Sequence, residues 1–364
     1  MWSALFAAVI AAAAQAQPAP PASAGKTLAA SECKACHGLD GRGVAPGIPH
    51  LAAQRLRYLM KSFDEFREGS RAHAALQSVV TALSADQVRA VAQYYAALPP
   101  ILPARTPVFD AYSVGEQLAA GCAGCHGSDG NSTTSGIPSL AGQQPKYLFE
   151  ATQEYMTGVR DAAPMVPALG KLRKLDVESL ALFYASQTPI PFGAPSAADP
   201  QRGRVLSVVC SGCHGASGVS TDADTPSLAG LSASYLEGAI RRYRSAQRRT
   251  DAMKRAVETL ADQDIGDIAA FYASQRSRPA ARGEVLLRDT IAKCDRCHGG
   301  AVPDNPALAV PVIAGQDKDY LAMALRSYRD GKRGISVMHH MSVPYTDAVI
   351  ESVASHYANK GRGR

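Results

Sequence analysis

All eight cysteines of this 364-residue chain fall in four copies of one short element. Cys33, Cys36 and His37 form the first; Cys122, Cys125 and His126 the second; Cys210, Cys213 and His214 the third; Cys294, Cys297 and His298 the fourth. In each Cys-x-x-Cys-His element, two intervening residues bring both sulfurs under one edge of a porphyrin. The thiols can then add to the two vinyl groups of haem as thioethers, and the adjacent histidine reaches the iron from one face. No cysteine remains for a disulfide. Structural zinc is the competing chemistry. A zinc ribbon sets two Cys-x-x-Cys knuckles about 15–20 residues apart. Successive histidines here stand 89, 88 and 84 positions apart, so each element would offer three ligands and no neighbouring fourth. A thioredoxin-like site needs a βαβ setting, and no such pattern is visible. Four covalently attached haem c groups are the expected cofactors.

The elements that must position these centres recur with them. Gly25, Gly115, Gly203 and Gly283 each precede a leucine by three residues, Leu28, Leu118, Leu206 and Leu286, which reads as a short first helix entering the haem element. A loop rich in Gly, Asp and Ser follows and ends at Pro49, Pro138, Pro226 or Pro311. A middle helix opens at Tyr58, Tyr147, Tyr235 or Tyr320, and eight residues on lie Phe66, Tyr155, Tyr243 and Tyr328 on the same face. Each unit closes with apolar residues at i, i+3, i+4 and i+7: Val88, Val91, Ala92, Tyr95; Val177, Leu180, Ala181, Tyr184; Ile265, Ile268, Ala269, Tyr272; Ile350, Val353, Ala354, Tyr357. That period is an amphipathic helix, and Ser84 with Gln87 supplies a capping box for the first of the four. No alternating strand pattern is present. The expected fold class is all-α: four tandem small helical domains over 25–100, 108–188, 200–276 and 280–360, each around one haem. The linker between the last two is the shortest, which suggests that units three and four pack closely.

Apolar residues make up 46% of the chain and aromatic residues 6%, so haem is expected to supply much of each small core. The formal charge of +6 is offset by two propionates per haem, which removes the case for a nucleic-acid partner. Arg241, Arg242, Arg244, Arg248 and Arg249 form a basic run that reads as a solvated helix face. Docking of an acidic redox partner is the rarer use of such a run. Residues 1–16 look like a secretory signal, with an apolar run before an A-x-A-like site, Ala14-Gln15-Ala16, but without the usual basic start. Residues 17–24 read as a flexible Pro/Ala-rich segment. The apolar run is too short to span a bilayer, which takes about 20 residues, so no membrane span and a periplasmic location are expected.

The ordered set Cys-x-x-Cys-His-Gly, Pro-x-Leu-Ala-Gly-Gln (Pro138 to Gln143), Tyr-Leu, a methionine and a closing Phe-Tyr-Ala or Tyr-Tyr-Ala helix resembles the class I c-type cytochromes. It is most similar to the two-domain, di-haem cytochrome c-four type, here as four domains. The resemblance implies that a proline carbonyl accepts the second ring N–H of the proximal histidine. It also implies a methionine as the sixth iron ligand. Counting back nineteen positions from the closing tyrosine gives Met165, Met253 and Met338, with Met341 a near competitor in unit four. In unit one the same count gives Leu76, which cannot bind iron; His73, one turn earlier, is the candidate, and a five-coordinate iron is the other open reading. His50 stands on the proximal side, His339 and His340 flank Met338, and Met60, Met156 and Met323 read as packing or surface residues. An electron carrier follows, passing electrons between respiratory or dehydrogenase donors and a terminal oxidase or reductase through redox protein partners. The sequence leaves its oligomeric state open. Its rivals are a haem enzyme with an open unit-one iron and the cytochrome subunit of a larger dehydrogenase.

Overall fold

The computed structural model describes residues 22–102, 107–161, 163–193, 198–280, 287–299 and 309–361. The segment expected to be a signal lies outside them. Every regular element among the described residues is helical. Repeat one holds α1 (Ala22–Leu28), α2 (Lys34–His37), α3 (Leu56–Glu68), α4 (Ala74–Ala82) and α5 (Ala85–Ala97). Repeat two holds α6 (Ala111–Ala119), α7 (Ala123–His126), α8 (Pro145–Met156), α9 (Met165–Leu169) and α10 (Lys174–Ser186). Repeat three holds α11 (Pro200–Leu206), α12 (Ser211–His214), α13 (Ala233–Arg244), α14 (Asp251–Val257) and α15 (Asp262–Ser274). Repeat four holds α16 (Leu287–His298), α17 (Lys318–Arg329), α18 (Val337–Ser342) and α19 (Asp347–Asn359). Helix α1 begins inside the segment expected to be flexible. The middle helices start two residues before their tyrosines.

The closing helices α5, α10, α15 and α19 carry the cores. All sixteen residues of the i, i+3, i+4, i+7 pattern are buried. At the start of α5 the capping box forms as expected: the Ser84 hydroxyl accepts from Gln87 N at 3.2 Å, and the Gln87 carboxamide accepts from Ser84 N at 2.8 Å. The glycine of the first helix in repeats one to three is explained by the crossing of first and closing helices. A Cβ on Gly115 would stand 2.1 Å from the Ser179 carbonyl oxygen, and one on Gly203 would stand 1.9 Å from that of Asp267. Only a bare backbone allows this approach.

Repeat one has one more residue between its first leucine and Cys33 than repeats two and three have at the same place. The excess is absorbed as a π turn over Ala29–Cys33, the usual helical accommodation of a single extra residue. Ala29 thereby stays buried like its counterparts Ala119 and Ser207.

Two compact units are distinguished. Among the described residues, unit 1 holds 22–101 and 309–312, and unit 2 the remainder. Inside unit 2, repeats two and three join through their loops. The Gln143 carboxamide donates to Ser227 O at 2.9 Å and accepts from Ser227 N at 2.7 Å, Gln144 Nε2 donates to Ser220 O at 2.7 Å, and Lys146 pairs with Asp224. Inside unit 1, Gln54 makes the same exchange with Val312, at 2.9 and 2.7 Å.

Among the described residues, the helices of repeat four do not meet the expectation of close packing on repeat three. Their contacts in unit 2 run to repeat two, where Ala111 and Leu182 share one apolar cluster with Ile350, Val353 and Ala354. Ser352 Oγ accepts from Ala111 N at 2.9 Å, and the buried Glu178 carboxylate accepts from Ala348 N at 2.7 Å. A linker's length limits how far two units can separate; it does not choose which faces match.

Candidate haem centres

Each haem element of repeats one to three is a single helical turn ending at its histidine. The next residue, Gly38, Gly127 or Gly215, has φ of 61°, 81° or 79°. A Cβ on Gly127 would lie 2.3 Å from Asn131 O, so the turn that follows the histidine requires glycine. In repeat four His298 closes α16. The first cysteine of every pair is half-buried and the second exposed, and no disulfide forms. These sulfurs stand in for thioether sulfurs once haem is attached. In the haem-free chain, burial pushes the Cys33 and Cys294 thiols up to about 11. The closing tyrosines lie against the first cysteines, Tyr184 on Cys122 and Tyr272 on Cys210.

The histidines of the first three haem elements are held in a form that can bind a metal. Nδ1 of His37, His126 and His214 lies 3.0, 2.9 and 2.9 Å from the carbonyl oxygens of Pro49, Pro138 and Pro226. A carbonyl can only accept, so Nδ1 carries the proton and Nε2 keeps its lone pair for a metal. His126 and His214 are buried. Burial lowers the pKa of all three rings against the opposing pull of the proline carbonyl, which favours the neutral form.

Short helices bear the sixth-ligand candidates. Met165 opens α9, Met253 lies in α14 and Met338 in α18, all half-buried. Leu76 occupies this register in α4 with the same intermediate burial. His73 is exposed and caps α4: its Nδ1 accepts from Leu76 N at 3.3 Å, and its ring meets Phe66 edge-on at 6.2 Å. A neutral imidazole that accepts at Nδ1 carries its proton at Nε2. This is the opposite tautomer from that of the proximal rings. Met341 is half-buried beside Met338, His339 Nδ1 donates to Tyr328 O at 2.7 Å, and His340 is exposed. His50 Nδ1 accepts from Gly43 N at 3.0 Å in the loop. Met60 packs on the repeat-one core, and Met323 is exposed. In chemical type, two thiol sulfurs and a histidine Nε2 left without a proton, with a thioether in the same repeat at Met165 and Met253, are a donor set that fits haem c.

The cytochrome c family model matches residues 22–98 and 113–174. Cytochrome c4 of Pseudomonas aeruginosa is 31% identical over 181 residues, which cover 46% of this chain and 89% of that protein. The chain belongs to the cytochrome c family. This cytochrome holds four covalent haem c groups, one per Cys-x-x-Cys-His element, and its class of activity is electron transfer. It is also similar to the thiosulfate dehydrogenase electron acceptor of Stutzerimonas stutzeri, 34% identical over 151 residues covering 38% of this chain and 70% of that one. The crystal structure of reduced recombinant cytochrome c4 from Pseudomonas stutzeri aligns at 28% identity with a TM-score of 0.44, over 45% of this chain and 98% of the other.

One set of residues in the cytochrome goes beyond the sequence expectations. Arg71, Arg160, Arg248 and Arg333 each stand five positions before the sixth-ligand register. Arg71 lies over Phe66 at 4.3 Å and Arg333 over Tyr328 at 4.4 Å. Arg160 lies between Tyr147 and Tyr155 at 5.6 and 5.7 Å, and Arg248 between Tyr235 and Tyr243 at 5.8 and 5.6 Å. Arg160 and Arg248 are 7% and 6% exposed, and each lies near enough to the other repeat to feel its charges. Counting from Leu76, Met165, Met253 and Met338 reveals the register; one basic run in one repeat does not. Within that run, Arg241 and Arg244 pair with Glu237 and Asp262 on the helix surface, whereas Arg248 is buried.

Proposed function

We propose that this cytochrome is a periplasmic carrier that moves electrons, one per haem, from a dehydrogenase or respiratory donor to a terminal oxidase or reductase. Similarity to proteins named as thiosulfate dehydrogenase electron acceptors supports a dehydrogenase as donor. When bound, haem supplies an iron that cycles between ferric and ferrous. The chain's residues set its coordination and surroundings. His37, His126, His214 and His298 serve as proximal ligands, and Met165, Met253 and Met338 as distal ones. A thioether favours ferrous iron and raises the potential. The buried cations Arg160 and Arg248 would offset propionate charge once haem is bound.

The observation that carries this reading is the contrast in imidazole tautomers. Three histidine rings, in repeats one to three, are held with Nε2 left without a proton, and the sixth-ligand candidates in those repeats are His73, Met165 and Met253. The His73 side chain can ligate through Nε2 only by releasing the amide of Leu76. A displaceable sixth ligand in repeat one therefore accompanies three saturated irons, and this favours small-ligand binding at repeat one as a second activity. Carbon monoxide binding to the fully reduced protein, read against total haem, tests both. Binding at one haem per chain or none supports the carrier; binding at two or more removes the methionine assignment.

A further inference from the structure

The four repeats differ in the residues just ahead of the first haem cysteine. In repeat three Val205, Val208 and Val209 are 73%, 67% and 70% exposed. The position before the first leucine holds Thr27 in repeat one, Gln117 in repeat two and Val285 in repeat four, and the two positions before the cysteine hold Ser31 and Glu32, Ala120 and Gly121, and Ala292 and Lys293. Only repeat three places three exposed β-branched residues there. They share the outer face of α11 and the 3₁₀ turn Ser207–Cys210, while Leu206 packs on the core and Ser207 is buried. The face leads into the haem element at Cys210. Scattered exposed valines need no explanation, but a contiguous apolar strip does.

The charge beside this strip has one sign. From Arg202 to Gly212 the sequence carries two cations and no acid, whereas the same stretch carries an acid in every other repeat. Arg202 is committed to Asp264 and Asp267; Arg204 is exposed at the end of the strip.

We infer that this strip is the docking surface for a redox protein partner whose contact patch is apolar with a carboxylate rim. Repeat three is thus the port through which the chain exchanges electrons. The inference rests on the electron-carrier reading. Exchange is of one electron: the partner's centre is oxidised as the repeat-three haem is reduced, or the reverse, and no bond is made or broken. Valines at the centre exclude water, and Arg204 fixes orientation, as in a protein interface with an apolar core and charged rim.

The test uses the holoprotein on gold coated with a mixed monolayer of methyl- and carboxylate-terminated alkanethiols. Adsorbed mass and interfacial electron-transfer rate are read separately. The variant Val205→Gln/Val208→Ser/Val209→Ser changes exposed positions only. Its adsorption constant and rate are expected to fall ~10-fold, as loss of three apolar contacts implies. Arg204→Glu is expected to weaken adsorption on this monolayer and not on a methyl/hydroxyl one. The control Ala120→Ser/Gly121→Ser, in repeat two, is expected to behave as wild type. An unchanged triple variant, or an equal fall in the control, overturns the inference. So does sedimentation in which the wild type self-associates and the triple variant does not, because the strip would then join two copies. Adsorbed mass does not require electron flow, so failure of the carrier reading leaves the surface result separately legible.

Discussion

Replacing Leu76 by methionine places a thioether in repeat one where Met165, Met253 and Met338 stand in the others. The wild-type alternative, His73, gives up a hydrogen bond to ligate, since its Nδ1 accepts from Leu76 N at 3.3 Å. A net hydrogen bond is worth about 0.5–1.5 kcal/mol, so the capped form weakens His73 as a ligand by roughly 2- to 10-fold. Methionine at position 76 carries no such competition, and α4 keeps its cap. In Leu76→Met the reduced protein is expected to lose carbon monoxide binding at repeat one, and the lowest-potential haem is expected to move up towards the other three. In His73→Ala the cap is lost, α4 becomes less stable by about 1 kcal/mol, and repeat one binds carbon monoxide more tightly. Difference spectra during a carbon monoxide titration, combined with spectropotentiometry, read both effects. If His73→Ala leaves affinity and spectrum unchanged, His73 is no ligand. If Leu76→Met changes neither, the nineteen-residue register is wrong.

Met165→Ala, Met253→Ala and Met338→Ala are each expected to add one carbon monoxide-binding haem and to lower one potential, as counted in the same titration. Gln143→Ala removes both halves of the exchange with Ser227 and leaves buried backbone groups unpaired, at roughly 1–3 kcal/mol; denaturant midpoints and amide exchange at Ser227 measure it. Asp347 joins repeats two and four. Burial would raise its pKa, but hydrogen bonds from Lys174, Arg329 and Arg326 outweigh burial and hold it far below the ordinary 3.8. The folded pKa is depressed, so its contribution to stability is complete above the unfolded value and fades as pH falls below it. Asp347→Asn is therefore expected to lower stability by roughly 1–3 kcal/mol at neutral pH, and the difference between variant and wild-type melting curves is expected to shrink progressively as pH falls below about 4.

The parts of this molecule legible in its sequence are those set by local rules. The closing helices could be read because burial on one helical face forces a 3.6-residue period, and Val88 to Tyr95 and its three counterparts all lie inside. The haem elements could be read because thioether chemistry dictates their spacing. What joins the repeats was not legible. Gln143 meets Ser227 and Glu178 meets Ala348 across long stretches of chain, and nothing local to any of these four residues marks its partner. His73 illustrates a different limit. Its position identified a possible ligand, but only the backbone of α4 shows its ring already engaged as a cap. Arg160 and Arg248 were hidden in another way, since a buried stacked arginine and a solvated one such as Arg241 have the same letter.

Spectropotentiometric titration of the intact protein tests the central claim most directly. Four electrons per chain, with three haems grouped at high potential and one well below them, is the expected result. Fewer than four electrons, or four haems titrating together, would contradict it.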